Sequence, residues 1–544
     1  MTLWWLLACS TSTPTDTATD APRAPIFVPL DDARLARRVS IDLRARLPTE
    51  AELAQAAEPG GIDTLRDQWF ADPGFEAHLV DLFAEEWLLR LDTLRVKPTE
   101  FGLDPHDGYL FTRSFGDEPA RLIAHVVAQD RPYTEIVTAD YTLADDVLLS
   151  LLPLELEDAS DTAAWRVARY TDGRPANGIL ATSGMWLRFH TTIFNYNRGR
   201  AATLGKLLLC YDVAARPVVF QGVTEESTEG LEAAITTDPG CIACHASLDP
   251  LASTLFGFWP YEDLDGRELT VYHPEREGLW LDATGTAPAY FGTPLTAAGQ
   301  LGLMVAADPR FPQCSARRAA ERLWGRPTTT ADDEVVESLG AALTSRWSYQ
   351  DLLRAVLATD EYRAGALVDP ATDTEREATR PVRVLSPNTL HDLVEDATGF
   401  RWTYGGADQL DEDSTGYRAL LGGADGEAAR VPWLEPSVSR AYAIRRLAQG
   451  GAAYVVGNDL AAEPAARRLL PAEPADLAAI DPAGPEFEAA VQSLHRRLHG
   501  VTADAETLAG ERELYVAILG TEGAESAWSA IVTVLLRDPL FWTY

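Results

Sequence analysis

The segment Cys241-Ile-Ala-Cys244-His245 concentrates more reactive side chains than any other five residues of the chain. Two thiols three residues apart share one face of a helical turn, where each can add to one vinyl group of a haem. The imidazole of the next residue then stands against the iron as proximal ligand. Two blander chemistries use the same residue types. The cysteines could close a CxxC disulfide with His245 as a bystander, or form half of a zinc site. Zinc would require two further Cys or His ligands, and no matching second pair exists. The spacing therefore predicts one covalent haem c held by Cys241 and Cys244, with His245 on the metal.

Three other cysteines set the compartment. Cys9 follows Leu6-Leu7-Ala8, the order of a lipobox, behind the apolar run Leu3–Leu7. Ser10 to Asp20 then alternates Ser, Thr, Asp and Pro, a composition that suits a tether and buries no core. This predicts an exported protein of the periplasm or cell envelope, with residues 1–24 as signal and tether and Cys9 as the lipidated residue. No Lys or Arg precedes the apolar run and eight residues are few for a signal, so either the start lies upstream or Cys9 is incidental. Cys210 and Cys314 remain, one on each side of the haem motif. In an oxidising compartment they either pair, closing a loop of about a hundred residues worth a few kcal/mol, or stay as two buried thiols.

The sixth iron ligand is less determined. The chain has three Met. Met304, in Leu301-Gly-Leu-Met-Val-Ala306, follows His245 at about the separation at which compact cytochromes c place an axial Met. A Met in an apolar helical stripe is also ordinary core. His190, in Arg188-Phe-His-Thr-Thr192, is the rival, with a surface histidine as its plain alternative. Met185, another His or an open site complete the set. Met ligation raises the potential and suits electron transfer; an open iron admits peroxide and small ligands. Trp259, Tyr261 and Trp280 follow the motif and either wall the haem or pack a core. Asp411-Glu-Asp-Ser-Thr-Gly416 imitates half a calcium loop, but its twelfth position is Gly422 rather than Glu, so it reads as a solvated turn.

Helices must position these groups. Apolar residues recur at three and four from Phe75 to Leu89, and again over 118–128, 316–324, 348–358, 440–455, 487–498 and 524–536. Sustained two-residue alternation is absent. The chain reads as a mainly α, multi-domain helical protein containing a cytochrome c-like haem module. One layout recurs in three stretches: a basic helix end, a Thr-x-x-acidic helix start with Thr as N-cap, then an apolar helix closing on Asp and an aromatic residue. The copies are Arg46–Phe75, Gly325–Tyr362 and His499–Phe541, and they read as scaffold. The acidic, Pro-containing stretch 367–385 reads as a linker. It separates an N-terminal helical domain (25–170) and a haem module with its following helical unit (171–366) from a C-terminal helical domain (386–544).

Charge narrows the partners. Lys and Arg number 46 against 82 Asp and Glu, a net charge of −36. Such a surface repels phosphate backbones and anionic headgroups, which argues against nucleic acid and against membrane contact other than through a lipid anchor. No apolar run is long enough to span a bilayer.

The approach to the motif resembles a family. Asn177-Gly-Ile-Leu-Ala-Thr182, Arg198-Gly-Arg-Ala201 and Leu208-Leu-Cys210 lead to Cys241-x-x-Cys244-His245-x-x-Leu-Asp249-Pro250, then to Phe311-x-x-Cys314 and Gly325-Arg326. Together they resemble planctomycete-type cytochrome-domain proteins, also common in myxobacteria. Leu-Pro-Thr-x-x-Glu near the start and Gly422-Gly-Ala-Asp425 are similar to the accompanying helical domains. The resemblance implies an exported haem c protein and a Cys210–Cys314 pair, and supplies no substrate. Many relatives carry Gly soon after Asp-Pro and an acidic residue beyond it, where this chain has Ala252-Ser-Thr-Leu-Phe256. Two functional classes follow: an electron-transfer cytochrome docking a redox partner protein, or a haem enzyme, peroxidase-like or an oxidoreductase subunit, with an open iron. A non-redox surface scaffold with a CxxC disulfide is the third.

Overall fold

The computed structural model describes residues 27–90, 97–105, 108–215, 228–260, 268, 270–296, 298–368, 380, 382–411, 416–424, 432–433 and 435–544. Cys9 with its signal and tether, Tyr261, Asp425, residues 412–415 of the acidic turn and most of the 367–385 linker lie outside the described residues. The described residues are mainly helical, and the longest strand among them has five residues.

The described residues begin with β1 (Phe27–Pro29) and four helices: α1 (Asp32–Arg44), α2 (Glu50–Ala56), α3 (Gly61–Phe70) and α4 (Pro73–Glu86). Asp31 accepts the Arg34 amide to open α1, and Thr49 with Glu52 forms a reciprocal capping box over α2. Then come α5 (Gly108–Ala128), α6 (Glu135–Thr138), β2 (Thr142–Ala144), α7 (Asp146–Leu151), β3 (Leu154–Leu156) and β4 (Arg166–Tyr170). The three strands form one small antiparallel sheet with β4 in the middle. Helices α8 (Ser183–Arg188), α9 (Arg198–Leu209) and α10 (Thr228–Thr237) lead to α11 (Pro239–Ser253), which carries Cys241, Cys244 and His245, and α12 (Leu279–Thr284) follows; α9, α10 and α12 pack on α11. The hairpin β5 (Ala289–Tyr290) and β6 (Thr293–Pro294) leads to α13 (Gln300–Ala307), α14 (Arg310–Trp324), α15 (Asp333–Arg346), α16 (Tyr349–Ala358) and α17 (Asp360–Arg363). β7 (Ala364–Leu367) then pairs antiparallel with β1, tying residues 27–29 to 364–367.

After the linker come α18 (Pro387–Thr398), the hairpin β8 (Thr403–Tyr404) and β9 (Ala407–Asp408), and α19 (Tyr417–Leu420). The long α20 (Val438–Ala461) precedes α21 (Pro485–His499), α22 (Ala505–Glu522), α23 (Ala524–Arg537) and α24 (Pro539–Trp542). α23 sits among α20, α21 and α22.

The recurring layout is a set of four helices: α1–α4, α14–α17 and α21–α24. The first helix of each set ends on a left-handed residue, Ala45, Gly325 or Gly500. In two sets an arginine forks the acid of the capping box. Arg44 Nη2 donates to both Glu52 oxygens (2.7 and 2.8 Å), and Arg326 donates to both Asp332 oxygens (2.9 and 2.8 Å). Two features differ from the sequence reading. In the third set Asp504, not Thr502, caps the helix, because its carboxylate directly precedes the first turn and accepts the Thr507 amide at 2.8 Å. The closing Asp also begins the next helix instead of merely ending the last: Asp72 caps α4 and Asp538 caps α24, while Thr359 caps α17 ahead of Asp360.

Two large cores result. The first runs from Leu35 to Tyr362, and the residues assigned to 25–170 and to 171–366 share it: Val126, Ile136 and Leu143 join Ile179, Leu204 and Leu301. Phe111, Phe115, Leu148 and Leu187 form a smaller cluster with Ala144 and Ala168 of the sheet. The second core gathers side chains from Leu385 to Phe541, and also Ile41 and Leu47. α1 therefore feeds both, with Leu35, Ala36, Val39 and Leu43 in the first and Ile41 in the second. Its polar residues divide likewise. Arg37 donates to the carbonyls of Leu498, Phe541 and Thr543, whereas Arg38 donates to those of Tyr362 and Ala364. Asp42 accepts from Tyr362, Arg383 and Tyr544 together.

Candidate functional site

The chemistry sits on the first turns of α11. Asp238 caps this helix, accepting the amides of Gly240 (2.8 Å) and Cys241 (3.2 Å), and Pro239 occupies the first helical position, where a missing N–H costs nothing. The Cys241, Cys244 and His245 positions lie at i, i+3 and i+4, on one side of the helix. Both thiols are free and half-buried. The far end of α11 is anchored: Leu251 and Ala252 enter the first core, while Ile242 near its start is exposed. The reactive end thus reaches the surface from a helix rooted in packing.

Asp238 also affects the thiols. A cysteine at a helix N-terminus ordinarily becomes more acidic. Here the capping carboxylate engages the N–H groups that would cause this, and desolvation together with the nearby Asp238 and Cys244 pushes the Cys241 thiol upward.

One turn below His245 lies Asp249. His245 Nδ1 meets Asp249 Oδ1 at 2.8 Å, and Arg198 grips the same carboxylate with both prongs, Nε to Oδ1 at 2.8 Å and Nη2 to Oδ2 at 2.9 Å. Burial alone would raise the Asp249 carboxyl, but the bonds from His245 and Arg198 outweigh it and hold the group below the usual carboxylate range. An ionised carboxylate only accepts, so Nδ1 carries the proton, and Nε2 is the ring nitrogen that could meet a metal. The His245 side chain is 24% exposed, against 8% for Asp249. The ring is held from its buried side.

The sequence around Arg198 explains how it arrives there. Asn197, in a left-handed conformation, begins α9 and donates through Nδ2 to the Leu255 carbonyl just beyond α11 (2.9 Å). Arg198 then points to Asp249, and Arg200 turns inward. Arg200 donates to the carbonyls of Trp186 (3.0 Å), Phe189 (3.0 Å) and Phe258 (2.6 Å) and to Asn197 Oδ1 (3.1 Å). At its other end α9 is pinned covalently, since Cys210 forms a disulfide with Cys314 of α14 across a separation of 104 residues. The helix that supplies Arg198 is thereby fixed at both ends.

The candidate distal ligands lie on different elements. His190 is exposed, on the segment between α8 and the turn that docks Asn197 and Arg198 against α11. Met304 is half-buried on α13, which packs on α6 and α14. Met185 is fully buried in the first core. Trp259 is buried beside Phe256 and Tyr196, and Trp280 is half-buried on α12, which packs on α11.

The His245–Asp249–Arg198 chain went unrecognised as a unit in the sequence, although the i, i+4 spacing of His and Asp was visible there. The arginine lies 51 residues from its carboxylate, and only the fold joins them. Among the described residues, no three or more His, Cys, Asp or Glu gather as a metal cage, and no helix is long and apolar enough to cross a membrane. A cavity of about 790 Å³ opens elsewhere, at the seam of the two cores among Leu82, Glu85, Arg322, Arg383 and Tyr544. Comparison with family models, curated proteins and solved structures finds no match for this chain.

Proposed function

We propose that this protein is an exported mono-haem c-type cytochrome, of electron-transfer type, with Cys9 as a lipid anchor and a separate redox protein as partner. One observation carries the reading. Two half-buried thiols share a helical face with a histidine whose Nδ1 is occupied by a carboxylate, so that Nε2 is the ring nitrogen that could meet a metal. That donor set suits a haem c. Cys241 and Cys244 would form the two thioether links, and His245 would take the proximal position. The resemblance to planctomycete-type cytochrome-domain proteins points the same way.

The bound group would supply a one-electron redox couple. The chain's own residues do the rest. Asp238 caps α11 and so fixes the turn that carries Cys241. Asp249 fixes the tautomer and plane of His245, and Arg198 fixes Asp249. The anchored end of α11 prevents the motif from drifting relative to the core. The strongly acidic surface favours a basic partner, which electrostatic steering would draw in quickly at low salt.

The test is co-expression with the haem c maturation machinery in a bacterial periplasm, followed by denaturing haem staining and an absorption spectrum. The parent should retain covalent haem and the Cys241→Ala/Cys244→Ala variant should not. A folded, soluble parent without covalent haem would refute the proposal. A carbon monoxide shift of the reduced band would replace electron transfer with an open-iron enzyme.

A further inference from the structure

We infer that Asp249 and Arg198 act as opposed positioning residues on the proximal histidine, with Asp249 making this a low-potential centre and Arg198 limiting how low it goes. The inference rests on the haem reading above and goes beyond it, from the presence of the group to its redox character.

The argument starts from geometry. His245 and Asp249 stand one helical turn apart, so their bond needs no rearrangement of backbone. Asp249 is buried, and both its oxygens are engaged, Oδ1 by His245 and by Arg198 Nε and Oδ2 by Arg198 Nη2. A carboxylate bonded to the Nδ1–H of a ligating histidine draws that proton toward itself and leaves the ring more electron-rich. A richer ring is a more basic ligand, and a more basic ligand favours the more highly charged metal. In a partly buried setting such a bond is stronger than it would be in water. The guanidinium opposes this. Its fork shares the same two oxygens and withdraws charge from them. α9 holds Arg198 there because Asn197 ties its start to the end of α11 and the Cys210–Cys314 bond ties its end to α14.

The two roles predict shifts of opposite sign, which loosening of the structure would not produce. Asp249→Asn keeps the shape and an acceptor oxygen but removes the charge. It should shift the ferric–ferrous balance at least tenfold toward ferrous, about 59 mV upward for a one-electron couple. Arg198→Gln leaves the carboxylate undamped and should shift the balance the other way. Both can be read by spectroelectrochemical titration of purified protein carrying covalent haem. Potentials that stay at the parent value, or that move in the same direction in both variants, would overturn the inference while haem staining still upheld the cytochrome. Should Asp249→Asn fail to fold, Arg198→Gln alone decides: an unchanged or raised potential overturns the inference. A parent without haem stain would remove both conclusions together.

Discussion

The Cys210–Cys314 disulfide should contribute more to the stability of the first core than any single non-covalent contact, and the size of the effect follows from its position. It joins residues 104 apart, and in the chain-entropy model closure of a loop of that length in the unfolded ensemble is worth about 4.7 kcal/mol at 25 °C. Cys314 is 2% exposed, so Cys314→Ala also forfeits the contacts of a buried sulfur, about 1 kcal/mol. Cys210 ends α9 in the left-handed region with φ 49°, and Ser in its place inherits that conformation. The Cys210→Ser/Cys314→Ala variant should therefore lose about 6 kcal/mol, whereas Cys210→Gly/Cys314→Ala, relieved of the left-handed cost, should recover about 1 kcal/mol. Equilibrium urea unfolding followed by tryptophan fluorescence measures this, since Trp186 and Trp324 are buried in the first core. Reduced parent, which keeps the buried Cys314 sulfur, should remain about 1 kcal/mol more stable than the Ser/Ala variant. The m-value should rise, because an uncrosslinked unfolded chain exposes more surface. An unchanged midpoint with an unchanged m-value would refute the reasoning, as would a Gly variant less stable than the Ser variant.

Arg200→Lys should cost about 3 kcal/mol in the same urea assay, because one ammonium cannot reach the three carbonyls and the Asn197 oxygen that the guanidinium holds. Two residues of α4 should titrate in opposite senses. Burial pushes Glu85 up to about 7, so its contribution is complete below pH 4.5 and is lost as pH rises through 7. Glu85→Gln should accordingly be more stable than the parent at pH 8, by up to about 3 kcal/mol, with the advantage gone at pH 4. Burial pushes His78 down to about 4, so the parent should lose stability as pH falls from 6.5 toward 4, again by up to about 3 kcal/mol, and His78→Gln should flatten that slope. Urea midpoints across pH 4 to 8 check both, and a parallel profile for parent and variant would contradict either one.

Much of the helical scaffold could be read from periodicity and caps. The stripe from Phe75 to Leu89 is α4 with its C-terminal turn, 348–358 is α16 with Ser348 as its cap, and 524–536 is α23. The Thr49–Glu52 and Thr329–Asp332 boxes form where Thr and an acid stand three apart, because that spacing alone fixes which amide each oxygen can reach. Third-set capping by Asp504 escaped this reasoning, since Thr502 and Asp504 are both good caps and the choice depends on where packing starts the helix. The sharing of α1 was invisible for a related reason. A stripe shows that a helix is buried, not against how many partners. The same limit applied to the site. Cys241, Cys244 and His245 declare themselves through local spacing, whereas Arg198 and Arg200 acquire their roles only when α9 lies across α11.

The division of α1 between the two cores bears on how fast the chain can fold. Arg37 finds its carbonyls at Leu498, Phe541 and Thr543, and Asp42 finds a partner at Tyr544. Contacts separated by 461 to 506 residues raise the contact order of the whole assembly, and loops of that length close late. A fragment covering 27–368 would present Ile41 and Leu47 to water and leave Arg37 without the carbonyls of Leu498, Phe541 and Thr543. The helix near position 40 is a keystone, bearing on both sides of the arch.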